Sequence, residues 1–175
     1  MYTDSRLFLG RTIGSYHLEE LIEQRPYGPL FLARHQTTGT AFLLRLIAVD
    51  SSKTPGEQSD FLTSVYQFTK HLQTLRHPYL LPILDAGHYN GLPFLVYPHV
   101  PIRTLHTRIE QAGPLDLATA GRYLDQIAAA LEYAHEHGIV HGALSVDTCY
   151  LQLDGRLVIG DAGVYSILAR SQDTN

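Results

Sequence analysis

The sequence predicts an α+β fold in two parts: a five-stranded antiparallel lobe with one helix, then a shorter, mostly helical part. Three observations carry this. Apolar runs separated by tight Pro- and Gly-containing turns fill the stretch from Tyr16 to Val49. From Phe61 the apolar residues recur at three and four positions, the period of a helix. A stiff connector, Pro98-His99-Val100-Pro101, then leads into a second helical pattern that runs to Gly138. The boundaries expected are 1–97 for the first lobe, 98–103 for the connector and 104–175 for the second part.

Taken in order, Gly10 to His17 reads as a lead-in, and His17 to Ile22 as the first strand. Glu23 to Gly28 is a turn marked by Pro26 and Gly28. Pro29 to His35 is a second strand, and Gln36 to Thr40 a second turn. Ala41 to Val49 is a third strand, apolar enough to be buried on both faces. Asp50 to Asp60 reads as a polar loop. Phe61, Val65, Phe68, Leu72 and Leu75 line one face of a helix over 61–76, which His77-Pro78 ends. Leu80 to His88 and Phe94 to Tyr97 are two strands joined at Asn90-Gly91. Thr104 to Gln111 makes a short helix. A longer one follows, with Asp116 as N-cap, an apolar stripe of Tyr123, Ile127, Ala130, Leu131 and Ala134, and Gly138 as its stop. Leu151 to Ile159 is hairpin-like, turning at Asp154-Gly155, and Ser171 to Asn175 reads as a frayed end.

Composition narrows the function classes. Hydrophobic residues make up 45% of the 175 and charged residues 17%, which is ordinary for a globular protein. A net charge of −4 without a basic stripe argues against nucleic acid as a partner. Cys149 is the single cysteine, so no intrachain disulfide forms, and a reduced, cytoplasmic setting is expected. Within a strand it reads as a small buried hydrophobe rather than a nucleophile. No apolar run reaches the ~18 residues of a membrane span, and the first residues do not read as a signal peptide. His135 and His137 are two residues apart, which puts them on different faces of a helix and does not suit zinc. Asp85, Asp147 and Asp154 have no evident partners for acid–base work.

The segment Ile139 to Leu151 reads Ile-Val-His-Gly-Ala-Leu-Ser-Val-Asp-Thr-Cys-Tyr-Leu, and Gly160-Asp161-Ala162-Gly163 follows the hairpin. It resembles the catalytic loop of protein kinases, His-Arg-Asp-Leu-x-x-x-x-Asn, followed by Asp-Phe-Gly. His141 and Leu144 stand at positions that hold the loop's shape. Tyr27-Gly-Pro-Leu-Phe-Leu-Ala-Arg34 is similar to the end of the glycine-rich loop and the next strand. Leu75-Arg-His-Pro-Tyr-Leu-Leu81 resembles the segment after the regulatory helix. Leu131-Glu-Tyr-Ala-His-Glu-His-Gly-Ile-Val-His141 resembles the helix that enters the catalytic loop in bacterial Ser/Thr kinases. The resemblance runs in order from about Ile13 to about Leu168.

What the resemblance implies is a kinase-like fold with an altered site. Phosphoryl transfer requires a held triphosphate, Mg²⁺ and an oriented hydroxyl. The three loop-glycine positions read Ile22, Gln24 and Gly28, and Pro26 removes an N–H from the same turn. The strand lysine is Arg45, and its carboxylate partner on the helix falls at Phe68, so the usual ion pair is excluded. Read by itself, Arg45 packs its stem on the sheet and sends its head to solvent. Leu43 and Tyr150 stand where the adenine slot is walled, and Val100 offers a connector N–H. The catalytic Asp position is Ala143, the Arg before it Gly142, and the metal-binding Asn Thr148. Asp161 is the one catalytic-type residue kept; it reads first as a residue that caps or hydrogen-bonds a local turn, with weak metal binding as the alternative. Ala162 replaces the Phe of a packed column.

These substitutions lead to the expectation of a pseudokinase, a signalling module that regulates or binds other proteins and is not an enzyme, with no catalytic residue. The alternative is an ATP-binding Ser/Thr protein kinase domain with atypical phosphoryl transfer. No cofactor is expected; ATP and Mg²⁺ would bind at most weakly, through vestigial Arg45, Gly28, Val100 and Asp161. After the Asp-Ala-Gly motif only Val164 to Asn175 remain, without the segments that in kinases cover the long helix, so the domain reads as C-terminally truncated. A protein partner or a second copy is therefore expected on the face around Tyr123, Ile127 and Leu131.

Overall fold

A computed structural model describes residues 4–48, 54–101 and 103–172. By contact density the chain divides into two units, one of 1–74, 83–99 and 167–175, the other of 75–82 and 100–166.

The first unit is built on a six-stranded antiparallel sheet: β1 (Thr12–Ile13), β2 (Tyr16–Arg25), β3 (Gly28–His35), β4 (Ala41–Leu46), β5 (Asp85–Tyr89) and β6 (Leu92–Pro98), in the order β1-β2-β3-β4-β6-β5. The five expected strands are all present, and the two-residue β1 adds a sixth in the lead-in. Strand alternation sends Ile13, Leu18, Phe31, Leu44 and Val96 into one core. β4 is buried on both faces as its apolar run predicts, and the buried set includes Arg45. Asn90 and Gly91 both have positive φ, 49° and 81°, which suits the two-residue β5–β6 turn.

Helix α1 spans Pro55–Leu72, not 61–76. The loop expected over Asp50–Asp60 is shorter in the structure, because Thr54, Pro55 and Glu57 are a helix start. Thr54 caps the N–H of Glu57, and the Glu57 carboxylate accepts the Thr54 N–H at 2.7 Å. The start of that loop, 50–53, lies outside the described residues, as do residue 49 of the expected third strand and 173–175 of the expected frayed end.

In the second unit, α2 (Leu105–Ala112) and α3 (Leu117–Glu136) form where the pattern placed them, with Asp116 capping Thr119 and Gly138 at φ 72° after the last turn. The hairpin β7 (Cys149–Leu151) and β8 (Leu157–Ile159) turns at Gly155. The strand expected from Leu80 starts only at Asp85. Leu80 to Ile83 belongs elsewhere in part: the Leu81 N–H donates to Ile159 O and the Ile159 N–H to Tyr79 O, each at 2.9 Å. The Leu157 N–H donates to the buried Gln126 side chain at 2.8 Å, which pins α3 to β8. Helix α4 (Val164–Gln172) is an element the sequence reading did not anticipate, although Val164 and Ile167 are three apart and fully buried.

The stripe on α3 is rotated from its expected position. Tyr123, Gln126, Ala130 and Ala134 are buried, while Ile127 and Leu131 are half-buried and Leu124 is 65% exposed. Among the described residues no helix is long and apolar enough to cross a membrane.

Candidate functional site

In the first unit, Arg45 meets one other candidate residue, Gly28. The Arg45 side chain is fully buried and does not reach solvent, which corrects the expectation for a lone charged residue on a sheet. It donates to the Gly28 carbonyl at 3.1 Å and pairs with the Glu23 carboxylate. The Tyr27 ring covers it, 5.1 Å from centroid to guanidinium carbon. Phe68 indeed brings no carboxylate, yet Arg45 is ion-paired, through β2 instead of α1. Phe68 itself lies under the Arg170 guanidinium of α4, 4.0 Å from its ring centroid.

Gly28 is kept for packing. Its φ is 131°, and a Cβ there would lie 1.9 Å from the Leu46 carbonyl oxygen. The turn it closes has Pro26 and Tyr27 as its tip, since Arg25 pairs with Gly28 across the hairpin. Leu43 is buried in β4.

In the second unit, the loop from His141 to Thr148 is held by its own polar groups. Thr148 is buried; its hydroxyl accepts the Ser145 N–H at 3.0 Å and faces the carbonyls of Ser145 and Ala143 at 3.0 and 3.3 Å. The Gly160 N–H donates to Thr148 O at 2.8 Å. Gly142 sits at φ 72° with Tyr165 against it; a Cβ would come within 2.8 Å of the Tyr165 Cβ. His141 is buried, accepts the Ala143 N–H at Nδ1 (3.3 Å), and burial holds its pKa below the ordinary value against the pull of Gly160 and Asp161. Leu144, expected to help hold the loop, is instead 43% exposed. Tyr150 is buried and presses on Gly160. Val100 is half-buried in the connector.

Asp161 is buried, with a left-handed backbone (φ 60°), and its carbonyl accepts the Val164 N–H at 3.2 Å where α4 begins. Ala162 is buried beside it. No group of three His, Cys, Asp or Glu among the described residues could hold a metal ion. Thr148 spends its hydroxyl on the loop, so Asp161 is the single acidic group that these positions offer a cation.

Of the remaining candidates, Asp147 does have a partner. Its carboxylate meets His106 Nδ1 at 2.8 Å while Glu110 meets Nε2 at 3.0 Å. The cluster ties α2 to the loop, reinforced by the His106 N–H donating to Val146 O. Asp85 accepts the Tyr16 hydroxyl at 2.9 Å, and Asp154 pairs with Arg156. Burial pushes the Cys149 thiol up to about 11, which suits a buried hydrophobe.

The family model described as protein kinase domain matches residues 16–175. The chain is 28% identical to the serine/threonine-protein kinase PknH of Mycobacterium tuberculosis over 93% of its length, and 27% identical to the carbon catabolite-derepressing protein kinase of Candida glabrata over 94%. It spans about a quarter of either relative, 25% and 26%. The crystal structure of Rad53 1–466 in complex with AMP-PNP superposes with a TM-score of 0.70 at 22% identity, covering 86% of this chain and 38% of that one, which shows the fold. These findings correct one expectation. Ala143 suggested a chain that is not an enzyme, whereas the family and its relatives are protein kinases.

Proposed function

Because the chain belongs to the protein kinase domain family, we propose that it works as a regulatory, partner-binding module on the kinase fold, in a cytoplasmic setting. The observation that carries this reading is the loop from His141 to Thr148. It is kept in shape by Thr148, Gly142 and buried His141, while a methyl group stands at position 143. Shape has been retained where a carboxylate has not. The partner, a protein or a second copy of the chain, meets the outer face of α3 around Leu117, Leu124, Ile127 and Leu131, with Tyr123 turned inward.

A second reading is ATP-dependent transfer to a Ser or Thr hydroxyl, favoured by the names of the relatives. Here Asp161 would take part in holding Mg²⁺ together with nucleotide phosphates. With Ala143 in place, water or the substrate itself would take the hydroxyl proton. Calorimetry with ATP and Mg²⁺ or Mn²⁺, alongside labelled phosphate transfer, separates the two. Weak, metal-independent binding supports the regulatory reading. Tight, metal-dependent binding that Asp161→Ala abolishes, with label on Ser or Thr, establishes the second.

A further inference from the structure

We propose that residues Asp4 to Arg11 are a strap along β2 that holds the β2–β3 turn in place, so that the N-terminal segment sets how firmly Tyr27 lies over Arg45. The strap is fastened at three points, all within the first unit. At its C-terminal end, the Gly10 N–H donates to Leu18 O and the Leu18 N–H to Arg11 O, each at 2.9 Å. In its middle, Phe8 packs against the sheet core, its ring edge-on to Phe31 with the centroids 6.4 Å apart. At its N-terminal end, a turn of 3-10 helix (Ser5–Phe8) starts at Asp4, whose carboxylate accepts the Arg6 N–H at 3.0 Å. This turn brings buried Ser5 to the far end of β2, where its hydroxyl donates to Gln24 Oε1.

Gln24 passes the contact on. Its Nε2 donates to the Arg25 carbonyl at 3.2 Å, so one side-chain amide joins the strap to the backbone at the mouth of the turn. Arg25 stands opposite Gly28 in the ladder, which leaves Pro26 and Tyr27 as the tip. The Tyr27 ring lies 5.1 Å from the Arg45 guanidinium carbon, and the Tyr27 carbonyl accepts the Ala48 N–H at 2.9 Å. A glycine at position 24, as in the family motif, could make neither side-chain bond. Gln24 thus exchanges a bare backbone for an anchor, and the anchor is the strap.

Amide hydrogen exchange in the full chain, followed by NMR, tests this without any call on nucleotide or partner binding. The Ala48 N–H reports on the turn, and the Leu44 N–H, in the fully buried part of β4, reports on the core. Ser5→Ala and Gln24→Ala should each speed exchange at Ala48 by about 2- to 12-fold, the range for losing one hydrogen bond of ordinary net strength, with Leu44 unchanged. Ser5→Ala/Gln24→Ala should go no further than the larger single effect, because both changes remove the same link. Gln24 is exposed, so Gln24→Ala carries the test if Ser5→Ala does not fold. Parent rates at Ala48 in a folded variant overturn the proposal. So do equal rises at Ala48 and Leu44, which report a loss of overall stability, and a double variant whose effect is the product of the two single ones. An unfolded Gln24→Ala overturns it as well, since a strap holds a turn and not the fold.

Discussion

Thr148 illustrates how one side chain can hold a loop. In the family motif its position is a metal-binding Asn, and here a hydroxyl accepts the Ser145 N–H and faces two carbonyls instead. Thr148→Ala removes the partner of that part-buried N–H, so it should cost about 0.5–1.5 kcal/mol in chemical denaturation; a loss under a few tenths would contradict the role given to the hydroxyl. Two histidines of the same unit should respond to pH in opposite senses. Glu110 first and Asp147 with it hold His106 above the ordinary imidazole value. Its contribution is present below the unfolded pKa of about 6.5 and fades as pH rises through the folded value. His141 is held below its ordinary value by burial, so its contribution is complete above about 6.5 and is lost as pH falls toward the folded value. A proton NMR titration of the imidazole resonances should find His106 titrating above His141. The reverse order would refute at least one of the two assignments.

At the level of elements, helix starts and turns were the most readable features because their chemistry is local. Asp116, Gly138 and Asn90-Gly91 act within one turn of chain, and each stands where the sequence places it. The same local signal at Thr54-Pro55-Gly-Glu57 opens α1, and Thr54→Ala should lower stability by about 1 kcal/mol, read from the denaturation midpoint. A neutral result would mean that packing of α1 alone sets its start. Helix α4 was harder to see. Its buried Val164 and Ile167 make too short a stripe to declare a helix, and Arg170 finds Phe68, about a hundred positions earlier in the sequence.

For the whole molecule, the partner face on α3 is the part of the functional reading most open to direct test. Leu117 and Leu124 are one heptad apart, 90% and 65% exposed, with half-buried Leu131 a further heptad on. Light scattering should find self-association of the full chain, or mixed assembly with a partner, that Leu124→Glu reduces. The variant's melting transition should stay within about 0.5 kcal/mol of the parent, since Leu124 is on the surface. A parent that stays monomeric and captures nothing would remove this face from the proposal.

The sequence by itself determined the α+β class, the order of elements, the kinase resemblance and the altered positions Ala143, Thr148, Ile22 and Gln24. Periodicity, caps and motif spacing are properties of neighbouring residues, and they survive in one dimension. Only the tertiary structure decided how Arg45 is neutralised, which way Tyr123 faces, why Gly28 and Gly142 are glycines, and that Asp147 meets His106. Glu23 comes into the row of Arg45 through two register shifts in β2, between Leu18 and Glu20 and between Leu21 and Glu23. Such a shift leaves no mark in hydrophobic pattern, and a buried charge pair brings together residues on different strands. Their meeting is a matter of register, which the chain settles only by folding.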